Sequence, residues 1–163
     1  MDLSFLKDDY SDNGGILVML IGPPGSGKST LADKIVESIN NYIIVSPDKI
    51  REELLGDPSI QTHNTEVFNK VYSDIVKYLE EGYNVIYDAT NCRSIYRKKV
   101  IDACRAYTYK IIALVSSTIL SECFRQNESR NRYVPEEVIE RMYFTLRKHP
   151  PTIFEGFDLI AKF

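Results

Sequence analysis

The chain has 163 residues, 44% of them hydrophobic and 26% charged, with eight Gly and seven Pro. That length suits one domain with a substantial core, and the ordinary composition excludes a fibrous or disordered class. A formal net charge of −3 argues against bulk electrostatic capture of nucleic acid.

Residues 1–15 carry several aspartates and no apolar segment of the kind a signal peptide needs. They read as a polar leader and the cut end of a larger parent protein, with the domain proper expected over 16–163. Ile16–Ile21 is a continuous apolar run that stops at glycine and proline, the mark of a fully buried strand, and is far too short to span a bilayer. Lys28–Ile39 places Leu31, Ile35, Val36 and Ile39 at helical spacing. Tyr42–Val45 reads as a second strand and Lys49–Leu55 as a short helix stopped by Gly56. Thr65–Leu79 carries a long apolar stripe and is a clear amphipathic helix. Asn84–Tyr87 is a third strand ending at Asp88, Ser94–Ala106 a basic helix, Tyr109–Val115 a fourth strand, and Ile119–Phe124 the next helix. Asn127–Tyr133 is polar and shows no apolar period. Pro135, followed by two glutamates, starts a helix to about Lys148, which Pro150-Pro151 ends. The tail FEGFDLIAKF supplies a last strand. Strands alternating with helices imply an α/β fold of three layers, α/β/α, with a mostly parallel sheet.

Cys92, Cys104 and Cys123 are odd in number and lack CxxC spacing, and only His63 and His149 could join them. No metal cluster is expected; reduced thiols and a cytoplasmic location are. From Arg93 to Lys110 six Lys/Arg stand against the single Asp102, which is either a solvated helix face or a basic face for a phosphate-bearing partner.

Gly22–Thr30, GPPGSGKST, satisfies G-x-x-x-x-G-K-[ST] between a strand and a helix, the context this motif requires. Glycines let backbone N–H groups turn inward toward phosphate oxygens, where the helix N-terminus adds partial positive charge. The phosphate-binding set is therefore Gly22, Gly25, Ser26, Gly27, Lys28, Ser29 and Thr30, with Lys28 reaching the β and γ phosphates and the Ser29 hydroxyl holding Mg²⁺. A GTPase is set aside because NKVY at Asn69 lacks the aspartate of N-K-x-D. A motor or AAA-type ATPase is set aside on length and on the lack of adjacent acids after the third strand. Asp88 alone ends that strand, on the edge where open α/β sheets bind ligands. It suits the metal, or a substrate-binding arginine, unless it merely caps the next turn. The connector RQNESRNRYVP offers Arg125, Arg130 and Arg132 as charges for a lid over a triphosphate, unless they are only surface arginines.

Four strings in this order, GPPGSGKST, SPDKIR, DATN and NESRNRYVPEEVIERM, resemble the P-loop polynucleotide 5′-hydroxyl kinases, the kinase domains of phage and bacterial end-healing enzymes. A weaker fifth, PPTIFEGFD, resembles the chain end of the wider group. The resemblance spans nearly everything from Ile16 onward and implies a P-loop kinase domain that uses ATP and Mg²⁺. It implies that Asp48, in D-x-x-R, orients or deprotonates the acceptor 5′-hydroxyl and that Arg51 contacts a neighbouring 3′-phosphate. Asp88, Thr90 and Asn91 of D-x-T-N would face the substrate. Lys49 would face solvent. Asn127 points to Arg130 as the lid arginine on ATP; here the lid is about one residue shorter, and Gln126 stands where an arginine is often found. Arg93 and Arg97 on the basic helix would hold the acceptor backbone. The partner is then a polynucleotide 5′-hydroxyl end. Two readings stand beside this one: a kinase of a small hydroxylated molecule (nucleoside, sugar or antibiotic) on the same scaffold, and a non-catalytic ATP-binding module.

Overall fold

Every residue of Gly15–Ile21 is buried, and this strand, β1, is the middle of the sheet. The computed structural model describes residues 3–7, 15–60, 62–129 and 133–163. Beside β1 stand β2 (Tyr42–Val45), β3 (Asn84–Asp88), β4 (Thr108–Val115) and β5 (Leu159–Lys162), in the order β2-β3-β1-β4-β5. Every neighbouring pair is parallel. Parallel strands need covered faces, and β1 shows why: its side chains alternate between two cores. Ile16, Val18 and Leu20 pack with Leu31, Ala32 and Ile35 of helix α1 (Lys28–Ser38). Leu17, Met19 and Ile21 pack with Val67, Val71, Ile75 and Leu79 of helix α3 (Asn64–Glu80). The α3 residues recur at the i, i+4 spacing of one helix face, and each burial contributes roughly 1.5–3 kcal/mol before entropy is subtracted.

The remaining helices are α2 (Pro47–Leu55), α4 (Ser94–Cys104), α5 (Leu120–Glu128) and α6 (Glu136–Lys148). The architecture is the three-layer α/β/α arrangement expected. Boundaries shift where local chemistry was overlooked. Helix α2 begins at Pro47 rather than Lys49, because a proline at the first helical position has a preset φ and no N–H to waste. Helix α5 runs on to Glu128. The basic helix stops at Cys104 and tightens into a 3₁₀ turn over Arg105–Tyr107.

The leader is not wholly external to the domain. A 3₁₀ turn at Ser4–Leu6 places Leu6 in the α1-side core at 1% exposure. The Tyr42 hydroxyl donates to the Leu6 carbonyl at 3.0 Å. The three cysteines are buried and free. Among the described residues no helix is long and apolar enough to cross a membrane.

Because the sheet is parallel, all strands deliver their C-terminal ends to one edge. That edge receives the glycine-rich loop after β1, the start of α2 after β2, and Asp88 at the end of β3.

Candidate active site

The loop after β1 is braced from several sides. The Gly22 N–H donates to the Thr90 carbonyl at 2.9 Å. The Ser26 carbonyl accepts from Ser116 Oγ and from Thr118 Oγ1, each at 3.1 Å. Gly25 has φ 74°, and a Cβ there would stand 2.2 Å from the Cys123 carbonyl of α5, so only glycine lets the loop lie against that helix. Gly27 has φ 85°, and among the described residues nothing lies within 4 Å of where a Cβ would be. This open, left-handed position just ahead of α1 is space a phosphate group can occupy against backbone N–H groups. Lys28 is buried and donates to the Pro23 carbonyl at 2.8 Å and to Ser26 Oγ at 3.4 Å. Its ammonium is thus held inside the loop it serves. Thr30 follows on the exposed side of α1.

The Ser29 hydroxyl donates to Asp88 Oδ2 at 2.7 Å. An exposed hydroxyl and a carboxylate side by side at a sheet edge form the hard oxygen pair that suits Mg²⁺, an ion that takes few protein ligands and keeps phosphates and waters for the rest. Among the described residues no group of three or more His, Cys, Asp or Glu could hold a metal.

At the end of β2, Asp48 lies in the first turn of α2. Arg51, one turn on, donates through Nη1 to Asp48 Oδ1 at 3.1 Å and through Nη2 to Asn64 Oδ1 at 3.1 Å. Its guanidinium stands 5.9 Å from the Phe68 ring centroid. The Asp48 side chain is 44% exposed while that of Arg51 is 7% exposed. Arg51 Nε is buried and takes no hydrogen-bond partner among the described residues. A buried guanidinium with a donor unspent is an arrangement that an incoming anion would relieve. Lys49 between them is exposed, as expected.

Arg97 is not where the sequence placed it. It is fully buried, and its five N–H donors are all spent. Nε and Nη2 grip the Glu155 carboxylate at 2.7 Å each, Nη1 donates to the Asn91 and Cys92 carbonyls at 3.1 and 3.2 Å, and Nη2 donates to the His149 carbonyl at 3.0 Å. It cannot also hold an acceptor backbone; it ties the loop after β3 to the end of α6 and to the turn at Ile153–Glu155. Asn91 is likewise inward, 5% exposed at φ 50°, its amide nitrogen donating to the Leu20 carbonyl at 2.8 Å. It holds the loop to β1 rather than facing a substrate. Thr90 is half-buried, with its carbonyl serving Gly22. Arg93 is exposed and stacks 5.1 Å from the Tyr96 ring centroid.

Of the three arginines expected to serve a lid, Arg125 lies within α5 and is held by Glu122 one turn back, with Nε to Oε2 at 2.8 Å. That bond, helped by Gln126, holds the Glu122 carboxyl down at about 2. Arg130 and Arg132 lie outside the described residues. Asn127 is buried, and its side-chain amide bonds both the carbonyl and the N–H of Val134 at 2.8 and 3.1 Å.

A family model described as AAA domain matches residues 17–149. The chain belongs to that family. A short chain whose β3 ends in a single acid thus falls within a family described as AAA domain. An L-seryl-tRNA(Sec) kinase from Methanococcus maripaludis is 27% identical over 133 residues, covering 78% of this chain and 51% of that protein. The chain thus spans about half the length of that relative. By shape, a chain of the Pnkp1/Rnl/Hen1 RNA repair complex aligns with a TM-score of 0.78 at 23% identity, over 92% of this chain and 48% of that one. A shikimate kinase from Bacteroides thetaiotaomicron aligns with a TM-score of 0.61 at 15% identity, over 90% and 86%. At these identities the structural likenesses establish the fold.

Several members of this AAA domain site were not found from sequence. Asn64 and Phe68, which seat Arg51, carry only the ordinary signals of a helix start and a helix stripe. Ser116 and Thr118 fall in a polar connector, and nothing in SSTI marks them as braces for the phosphate loop. Arg97 had a usable signal: with Val100, Ile101 and Cys104 it follows the i, i+3, i+4, i+7 spacing of a buried face.

Proposed function

We propose that this protein transfers the γ-phosphoryl group of ATP to the 5′-hydroxyl of a polynucleotide, RNA or DNA. The observation that carries this reading is the Asp48–Arg51 pair, a reachable carboxylate beside a buried guanidinium with an unspent donor, on the same sheet edge as Lys28 and the Ser29–Asp88 pair.

ATP and Mg²⁺ fit the residues present. The open backbone at Gly27 and the ammonium of Lys28 suit a triphosphate, and Ser29 with Asp88 would hold the metal. Bound there, Mg²⁺ would supply positive charge across the β and γ phosphates. Lys28 leaves the Pro23 carbonyl and turns its ammonium to the γ-phosphoryl oxygens. Asp48 orients the acceptor hydroxyl and accepts its proton as the oxygen attacks in line. Arg51 holds a phosphate of the acceptor's first nucleotide and fixes the distance between hydroxyl and carboxylate.

The test is transfer from γ-labelled ATP across a panel of single-stranded RNA, single-stranded DNA, mononucleosides and sugars. End-labelled oligonucleotide is expected. Labelling confined to a nucleoside or sugar would replace this reading by the small-molecule kinase, which the net charge of −3 favours.

A further inference from the structure

Helices α4 and α6 leave an open groove of about 630 Å³ between them, in the size range of ligand sites. Its walls are Arg93, Ser94 and Ile95 at the start of α4, and Arg141, Phe144 and Lys148 on α6; among the described residues none that lines it is acidic. On α6 the basic and aromatic members follow i, i+3, i+7 spacing, so they form one stripe. Ile95 and Phe144 are each 54% exposed. In a chain of net charge −3, an acid-free groove with three cationic side chains is a local reversal of sign.

The groove is fixed to the phosphate loop. Arg93 comes five residues after Asp88, and the loop between them is bonded to β1 through Asn91 on the Leu20 carbonyl at 2.8 Å and to the phosphate loop through the Thr90 carbonyl, which accepts from the Gly22 N–H at 2.9 Å. Opposite, Arg97 bonds the His149 carbonyl just past α6 at 3.0 Å, which keeps the two walls together.

We infer that this groove binds the downstream nucleotides of a single-stranded nucleic acid whose 5′ end is at Asp48. The inference rests on the polynucleotide reading and extends it. Arg93, Arg141 and Lys148 match backbone phosphates, while Phe144 offers a face on which a base can stack, a combination that binds single strands without reading sequence.

Two measurements test it. Fluorescence anisotropy follows a labelled 5′-hydroxyl oligonucleotide on wild type, Phe144→Ser and the double variant Arg141→Ser/Lys148→Ser. Steady-state kinetics compare KM for acceptors of two and of ten nucleotides. The wild type should bind the oligonucleotide, and Phe144→Ser should weaken it on the order of tenfold. The double variant should lower the salt slope by roughly 1.4, about 0.7 for each phosphate no longer neutralised. In both variants the ratio of long- to short-acceptor KM should move toward one. The altered side chains are exposed, and a thermal melt confirms that each variant folds. Should transfer to oligonucleotides fail while these binding losses appear, the kinase reading falls and the groove stands. Efficient transfer with anisotropy and KM ratio unmoved by the substitutions overturns the groove alone. No oligonucleotide binding by the wild type, or binding of an acidic peptide instead, also overturns it.

Discussion

Ser29 and Asp88, 59 positions apart in sequence, share a hydrogen bond of 2.7 Å that joins the first turn of α1 to the last residue of β3. The pair sits where the triphosphate and its metal would meet. Asp88→Asn keeps the volume but removes the charge that a hard cation needs. We expect a loss of transfer of about a hundredfold or more and a shift of the Mg²⁺ dependence to higher concentration. Initial rates measured against Mg²⁺ check this, and chelation should abolish transfer in the wild type.

The proposed function gives Asp48 and Arg51 separate parts in handling the acceptor. Asp48→Asn should lower kcat by about 10²- to 10⁴-fold while ATP binding, measured by calorimetry, persists. A non-catalytic ATP-binding module would show no turnover to lose. Arg51→Ala should harm acceptors carrying a 3′-phosphate more than those lacking it, and Arg51→Lys should restore little, because an ammonium cannot reproduce a planar fork. Equal losses on both acceptor types would reject the assigned role.

Arg97 acts on stability. Arg97→Met removes one partner of a buried ion pair, strands the Glu155 carboxylate and frees three carbonyls. The expected cost is about 3–5 kcal/mol, or on the order of a 10 °C fall in Tm for a chain this size. Adding Glu155→Gln should recover part of it. Thermal melts of the single and double variants decide.

Two thiols give the protein an alkaline limit. Burial raises Cys92 to about 11 and Cys104 to about 12. Near pH 7 both are protonated in folded and unfolded chains alike and contribute no slope. Above an ordinary thiol value near 9, the unfolded chain releases protons that the folded chain retains, so stability falls as pH rises toward the folded values. At pH 10 each thiol accounts for on the order of 1 kcal/mol of that fall. Melts from pH 7 to 10 should show the loss in the wild type and a shallower one in Cys104→Val.

Most of the fold could be read from sequence because its signals are local. The all-apolar run of β1, the stripe on α3 and the proline before α6 each decide their element without reference to the rest. The Ser4–Leu6 turn could not be read, since three residues cannot show a period and Leu6 is buried only because the α1-side core receives it. The site separated along the same line. The phosphate loop and Asp88 follow from motif and strand end. The burial of Arg97 depends on Glu155, 58 residues away, and a basic helix looks the same in sequence whether one of its arginines points in or out. Arg51 shows the converse: its spacing from Asp48 was plain, but its seat on Asn64 and Phe68 needed a neighbouring helix.

The five bonds of Arg97 also bear on how this protein can be engineered. The turn at Ile153–Glu155 supplies the carboxylate that organises the start of α4, so a tag, fusion or truncation that disturbs those residues would reach the Asn91–Cys92 loop beneath the phosphate site. Split-protein or permuted versions cut between α6 and β5 would have to bring that carboxylate back before Arg97 could hold the Asn91–Cys92 loop.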